Sequence, residues 1–246
     1  MLPSFDRDTP LPVLYRDERL IAVHKPAGMV VHPTDLAREE TISLMLLVRR
    51  MVRQRVWPAH RLDRPTSGIV LFALDRDAAG EIGRQLQEHS VAKRYLAVVR
   101  GIPLDQTIDY PLKELPLYRT DLKRAEPLAA VTHLKTVAQV ELPVAVGRYP
   151  TSRYALVELT PVSGRRHQLR RHLKHIFHPI IGDTTYGDGV HNRHFRDHLG
   201  SHRLLLCAVS LTVTQPQSGT PLTITAPPEA SFSAAWQRLA LSQGSL

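Results

Sequence analysis

Two apolar patterns share this chain. Short, nearly unbroken apolar runs are closed by Gly, Pro, Asp or Ser, and a few longer stretches repeat apolar residues every three or four positions. The runs predict strands at Leu20–His24, Ile69–Leu74, Val91–Val99 (closed by Gly101), Ala129–Val140 and Tyr154–Leu159, with residues 222–225 closing the sheet. The periodic stretches predict helices. Thr41–Arg55 contains no Gly or Pro. Asp75 is placed to cap a helix whose inward residues are Ala78, Ala79, Ile82 and Leu86. Glu229–Ser242 carries Phe232, Trp236 and Leu239 at i, i+4 and i+7. From Arg165 to Phe177, helical spacing puts Leu169, Leu173, Ile176 and Phe177 on one face with Arg170 at its border. Arg165, Arg166, Arg171, Lys174 and His175 are then left to solvent or phosphate. Strands outnumber helices and many neighbours are joined by short polar turns. The pattern predicts an α+β fold with a mixed, largely antiparallel sheet. Residues 1–12 are polar and Pro-rich and read as a flexible leader, and 13–246 as a single domain.

Composition narrows the class. A chain of 246 residues with 43% hydrophobic content has enough material for a core, and its net charge of +9 favours a polyanionic partner. Cys207 is the single cysteine; within Leu204–Val209 it reads as a small buried hydrophobe. No apolar stretch reaches membrane length and the first residues show no signal-peptide pattern, so the expectation is a cytoplasmic protein with no membrane partner. His191, His194 and His198 could line one helix face, but the arginines around them disfavour a cation. RNA-backbone contact or an ordinary surface helix is expected there, and no metal.

Candidate chemistry concentrates in His60-Arg61-Leu62-Asp63-Arg64-Pro65-Thr66-Ser67-Gly68. Pro65 fixes φ, Thr66 and Ser67 favour local hydrogen bonds, and Gly68 permits positive φ, so the segment is a tight turn leading into a buried strand. Asp63 stands there between two arginines. A carboxylate held rigidly beside cations suits a nucleophile or base that must be ionised at neutral pH. It equally suits an Asp that only caps a turn and pairs with its arginines.

The nonapeptide resembles the active-site signature HRLDxxTSG of the RluA family of RNA pseudouridine synthases, and matches it at every fixed position. Further stretches resemble family motifs in the family's order. They are Lys25-Pro26-Ala27-Gly28 with Val31-His32-Pro33, Lys93-Arg94-Tyr95-Leu96-Ala97, Gly164-Arg165-Arg166-His167-Gln168-Leu169-Arg170, and His178–Asp183 with Tyr186-Gly187. The resemblance runs from about Val13 to about Pro228. It implies the pseudouridine synthase fold, a bent mixed sheet with flanking helices and a central active-site cleft. The N-terminal S4 RNA-binding domain of many relatives is not expected here.

The resemblance also implies roles. Asp63 is the catalytic aspartate, Arg170 the arginine that pairs with it, and Tyr95 the ring that stacks on the target uracil and serves the later proton transfer. Arg61 enters the RNA stack where the base has left. His60, Arg64, Arg165, Arg166, Leu169 and Arg171 complete the candidate RNA-contacting set. Three first steps are open to Asp63: attack on C1′, attack on C6, or removal of the C2′ proton. No cofactor is needed, because uracil and ribose hold every atom of the product. The Arg64-Pro65 pair, Gly147–Tyr154 and the doubled Arg170-Arg171 resemble a branch of the family acting at uridine 65 of tRNA. Ribosomal RNA is the alternative substrate, and a non-catalytic tRNA-binding protein a remoter one. A glycosidase would need a second catalytic acid, and none stands out. A monomer without obligatory protein partners is expected.

Overall fold

A computed structural model describes residues 4–32, 42–114 and 126–242. Met1–Pro3 of the leader, Pro33 of the first motif and Thr41 of the first expected helix lie outside the described residues. The first half of the chain runs β1 (Val13–Arg16), β2 (Leu20–Lys25), α1 (Leu44–Val52), β3 (Trp57–Pro58), β4 (Ser67–Ala73), α2 (Arg76–Gln87), β5 (Ala92–Arg100), β6 (Gln106–Asp109) and β7 (Leu112–Lys113). The second half continues with β8 (Pro127–Leu128), β9 (Val131–Leu142), β10 (Ser152–Pro161), α3 (Gln168–His175), α4 (Gly189–Leu199), β11 (Leu206–Thr214), β12 (Pro221–Thr225) and α5 (Ala230–Leu241). Every strand and helix expected from the pattern is present within a few residues, and the α+β class holds. Antiparallel pairs predominate, while β4 and β11 run parallel.

Contacts divide the chain into two compact units, Met1–Lys93 with His202–Ser233, and Arg94–Ser201 with Ala234–Leu246. In the first unit β2 and β4 are buried along their whole length, which is why both read as continuous apolar runs rather than alternating ones. They pair from Leu20↔Ala73 to Lys25↔Gly68, and β11 and β12 extend the sheet beyond β4. Helix α2 lays Ala78 and Ile82 on Leu20, Ile69 and Leu71, with Ala79 and Leu86 partly buried beside them. Its start is set by Asp75, whose carboxylate accepts from the Ala78 amide at 2.7 Å. Cys207 is fully buried in β11.

Gly68 marks the tightest point of this unit. Its φ is +115°, and a Cβ placed there would lie 2.2 Å from the carbonyl oxygen of Ala208 in the parallel partner strand. Only a residue without a Cβ lets β4 and β11 approach at the exit of the Asp63 turn.

In the second unit β5, β10, β9 and β6 form an antiparallel sheet. β10 sets Leu159 opposite Tyr95, and a register shift interrupts β9–β10 between Leu156 and Val157. Helix α3 is shorter than expected. It ends at His175 with Ile176 as its cap, and Phe177 turns left-handed at φ +64°. The Phe177 amide donates to Lys174 O and the His178 amide to Leu173 O, a closing pattern that ends the helix. Leu169 and Leu173 occupy the buried face as expected, but Phe177 does not: its side chain is 80% exposed. In α5, Phe232 and Leu239 are buried while Trp236 is half-buried, and Ala235 completes the inward face.

Gly68→Ala should therefore destabilise the protein by about 3 kcal/mol or more, combining positive-φ strain with a backbone clash. Urea unfolding of the two proteins tests this; a loss below about 0.5 kcal/mol would mean that the strands separate at little cost.

Candidate active site

The Asp63 turn is pinned from the sheet side. The Thr66 amide donates to Asp63 O at 3.0 Å and closes the turn. The Gly28 amide donates to Arg64 O at 2.8 Å, and Arg64 Nε returns a bond to Gly28 O at 2.9 Å. Between these loops lies Lys25, fully buried at the end of β2. Its ammonium donates to the carbonyls of Pro26, Met29 and Arg64 at 2.9, 2.8 and 3.1 Å. One cation thus ties the first motif to the residue after Asp63. Burial pushes the Lys25 pKa down, to about 7; Glu229 and Asp63 favour its charged form, and Arg203 opposes it.

A half-buried arginine holds the other end of the turn. Arg203 Nη2 donates to Ser67 Oγ at 2.7 Å, Nη1 pairs with Glu229 and donates to Ser231 Oγ at 3.1 Å, and Nε donates to Leu204 O at 3.0 Å. His60 is half-buried, and its Nε2 accepts from the Leu71 amide at 3.3 Å. Burial, with Lys93 adding, pushes its pKa down, so the ring is neutral at pH 7 and serves the sheet. Asp63 itself is half-exposed, while Arg61 and Arg64 are exposed on either side.

In the second unit, α3 is fixed to β9 through buried polar side chains. Gln168 Nε2 donates to Val131 O and Thr132 Oγ1, each at 3.0 Å, while its Oε1 accepts from Ser163 Oγ at 2.7 Å and the Arg165 amide at 3.0 Å. His172 bridges Thr132 Oγ1 and Tyr110 O, each at 3.0 Å. These bonds set the rotation of α3 and so the direction of Arg170.

Arg170 is 5% exposed and grips Asp183 with a two-pronged bond, Nε to Oδ2 at 2.7 Å and Nη2 to Oδ1 at 2.9 Å. Asp183 Oδ1 also accepts from the Thr185 and Tyr186 amides, both at 2.9 Å. Burial raises the carboxyl pKa, but Arg170 and these amides outweigh it and hold it below the ordinary value. The Arg170 guanidinium lies over the Tyr186 ring, 5.1 Å from its centre, and the Tyr186 hydroxyl meets His167 Nδ1 at 3.0 Å. His167 begins α3 in a left-handed conformation, φ +55°. Gly187 permits the close turn: a Cβ there would lie 2.1 Å from Asp183 O.

The remaining candidates separate by exposure. Tyr95 is half-buried on β5. Leu169 is buried and packs. Arg165 and Arg166 are exposed and Arg171 half-buried; Arg165 Nε donates to Ala129 O at 3.2 Å, and Arg171 Nη1 to Lys113 O at 2.9 Å. Helix α4 carries His191, which meets the Tyr154 hydroxyl at 2.9 Å, and His194 stacked on His198 at 4.8 Å. Among the described residues no three His, Cys, Asp or Glu side chains are grouped to hold a metal, and no helix is long and apolar enough to cross a membrane.

Sequence reasoning missed Asp183 as the anchor of Arg170, and the parts of Lys25, Arg203 and Glu229 beneath the turn. Lys25 left a signal, a lysine ending a wholly apolar strand pattern. Arg203 and Glu229 left none, because their meeting depends on packing alone.

Residues 19–175 match the family described as RNA pseudouridylate synthase. A Pectobacterium carotovorum protein named tRNA pseudouridine synthase C is 48% identical over 233 residues, 93% of this chain. The chain spans 61% of that relative's length. Proteins of the same name from Haemophilus ducreyi and Vibrio cholerae are 48% and 47% identical, covering 88% and 93% of this chain and 90% and 94% of theirs. Among solved structures, human RNA pseudouridylate synthase domain containing 4 superposes with a TM-score of 0.70 at 24% identity, covering 93% of both chains. Human RNA pseudouridylate synthase domain containing 1 gives 0.71 at 24%, covering 99% of this chain and 98% of that one. At that identity the likeness is one of fold.

Asp183→Asn should cost about 3–5 kcal/mol, because it leaves the Arg170 charge buried without its partner carboxylate. The wild-type carboxyl has a folded pKa below the ordinary carboxylate value. Its contribution is therefore complete above the unfolded pKa and lost as pH falls through the folded one. The stability gap between wild type and variant should narrow between about pH 5 and pH 3, measured by urea unfolding. A gap constant over that range would show that Asp183 is not a paired carboxylate.

Proposed function

The chain belongs to the RNA pseudouridylate synthase family, and from that membership we propose that it isomerises a uridine of tRNA to pseudouridine, at position 65. The observation that carries the reading is a complete HRLDxxTSG turn whose aspartate is presented half-exposed while Lys25, Gly28 and Arg203 hold its backbone and flanks. The tRNA substrate rests on the name that the relatives carry, and position 65 on the Arg64-Pro65, Gly147–Tyr154 and Arg170-Arg171 segments.

The reaction breaks N1–C1′, turns the uracil and joins C5 to C1′; N1 gains a proton and C5 loses one. No atom is gained or lost overall, so the reaction consumes no cofactor. The base first leaves the helix, at a cost of about a few kcal/mol. Arg61, exposed beside Asp63, fills the vacated stack with its planar guanidinium. Asp63 starts the chemistry. Arg170, held rigid by Asp183, matches the family-motif arginine whose role is to orient the catalytic carboxylate. Tyr95 faces the turned uracil and serves proton removal at C5.

Incubating the protein with tRNA and ribosomal RNA transcripts and mapping pseudouridine tests the reading directly. Product at uridine 65 of tRNA is expected. Product only in ribosomal RNA, or none, would sink it. Asp63→Asn should bind tRNA about as tightly as wild type and give no product after long single-turnover incubation, since the amide is neither nucleophile nor base.

Arg61→Ala and Arg170→Leu should fail differently. A tRNA whose target uridine is mismatched needs less flipping, so it should partly restore the single-turnover rate of Arg61→Ala and not that of Arg170→Leu. Equal rescue would mean that the two roles are wrongly divided.

A further inference from the structure

The Gly147–Arg153 segment lines a concavity of about 520 Å³ in the second unit, within the typical range for a small-ligand site. Its walls are the β9–β10 hairpin, the end of β5, the turn after α3 and the start of α4. Three arginines line it, Arg100, Arg148 and Arg153, and a single acid, Asp188. That acid is already engaged: it receives Arg100 Nη1 at 2.6 Å and caps α4 through the Val190 amide at 3.0 Å. Arg148 and Arg153 are the exposed cations of the lining, with Arg153 opposite Glu141 across the β9–β10 pair.

Two aromatic rings stand at this site without being buried. Tyr149 is 59% exposed, with the Arg148 guanidinium 4.7 Å from its ring centre and bonded to its hydroxyl at 2.6 Å. Phe177 is 80% exposed and takes φ +64°, at the helix-end position where Gly or Asn is usual. A phenylalanine there strains the backbone and gains almost no burial, so folding does not explain it. Its carbonyl is nevertheless held, accepting from Arg100 Nη2 at 3.1 Å. Gly101 lets the following turn close in, since a Cβ there would meet the His178 ring at 2.7 Å.

Exposed rings beside exposed arginines form the combination that binds unstacked nucleotides, the ring taking the base face and the guanidinium the phosphate. We propose that this concavity is a second RNA subsite, holding an unpaired nucleotide of the tRNA other than the reacting uridine, with its base against Phe177 or Tyr149 and its phosphate on Arg148 and Arg153. The proposal rests on the tRNA reading above.

Affinity for tRNA transcript, measured by filter binding from 50 to 200 mM salt, and thermal melting of each variant test it. Phe177→Gly and Tyr149→Ala should each weaken tRNA binding by about tenfold. The double variant Arg148→Ala/Arg153→Ala should weaken it and reduce the salt slope by about one to two. Phe177→Gly should melt at or above the wild-type temperature, because glycine suits the left-handed position; a ring serving the fold would lower it. Affinities within about twofold of wild type for all three variants, or a lowered melting temperature for Phe177→Gly, would overturn the proposal. Pseudouridine mapping with the wild type separates the two failures. If tRNA is modified and the variants still bind normally, this subsite alone falls; if tRNA is neither bound nor modified, both readings fall.

Discussion

A buried ammonium is the constraint on which the first unit's chemistry depends. Lys25 sits with no exposed surface; burial lowers its pKa to about 7, and three backbone carbonyls and the nearby carboxylates offset part of the hydration it has lost. Those carbonyls belong to the two loops that Gly28 and Arg64 also join. The Asp63 turn is therefore held by the same bonds that make the buried lysine acceptable. A hydrophobic residue of similar length would pack there without drawing the two loops together.

The second unit repeats the strategy with opposite geometry. Arg170 is a buried cation aimed by one helix, and its partner Asp183 sits in a turn whose amides also bond the carboxylate. A guanidinium held by two parallel bonds has little freedom left. The Gln168, Thr132 and His172 contacts extend that rigidity into β9. Where Lys25 fixes backbone, Arg170 and Asp183 fix a side chain.

The arginines of this basic chain serve different purposes. Arg170 is buried and Arg203 half-buried, and both bond to side chains of the protein. Arg61, Arg148, Arg153 and Arg166 are exposed, where a net charge of +9 draws a polyanion and strong salt dependence is expected. Composition alone does not separate these groups, since burial decides which charge is available to a phosphate.

Local pattern determined much of this protein. The continuous apolar runs of β2 and β4, the Asp75 cap of α2 and the inward residues of α2 were legible because strand and helix periodicities and caps act over a few residues. So was the Asp63 turn, spelled out by Pro65, Thr66, Ser67 and Gly68. Tertiary structure decided what lies further apart in sequence. It brought Arg203 to Ser67 and Glu229, matched Arg170 with Asp183, and ended α3 early so that Phe177 faces outward. Helical spacing had placed Phe177 inside because periodicity assumes that the helix continues. Whether it does depends on the closing bonds of its last turn and on the packing beyond it, which no short window of sequence contains.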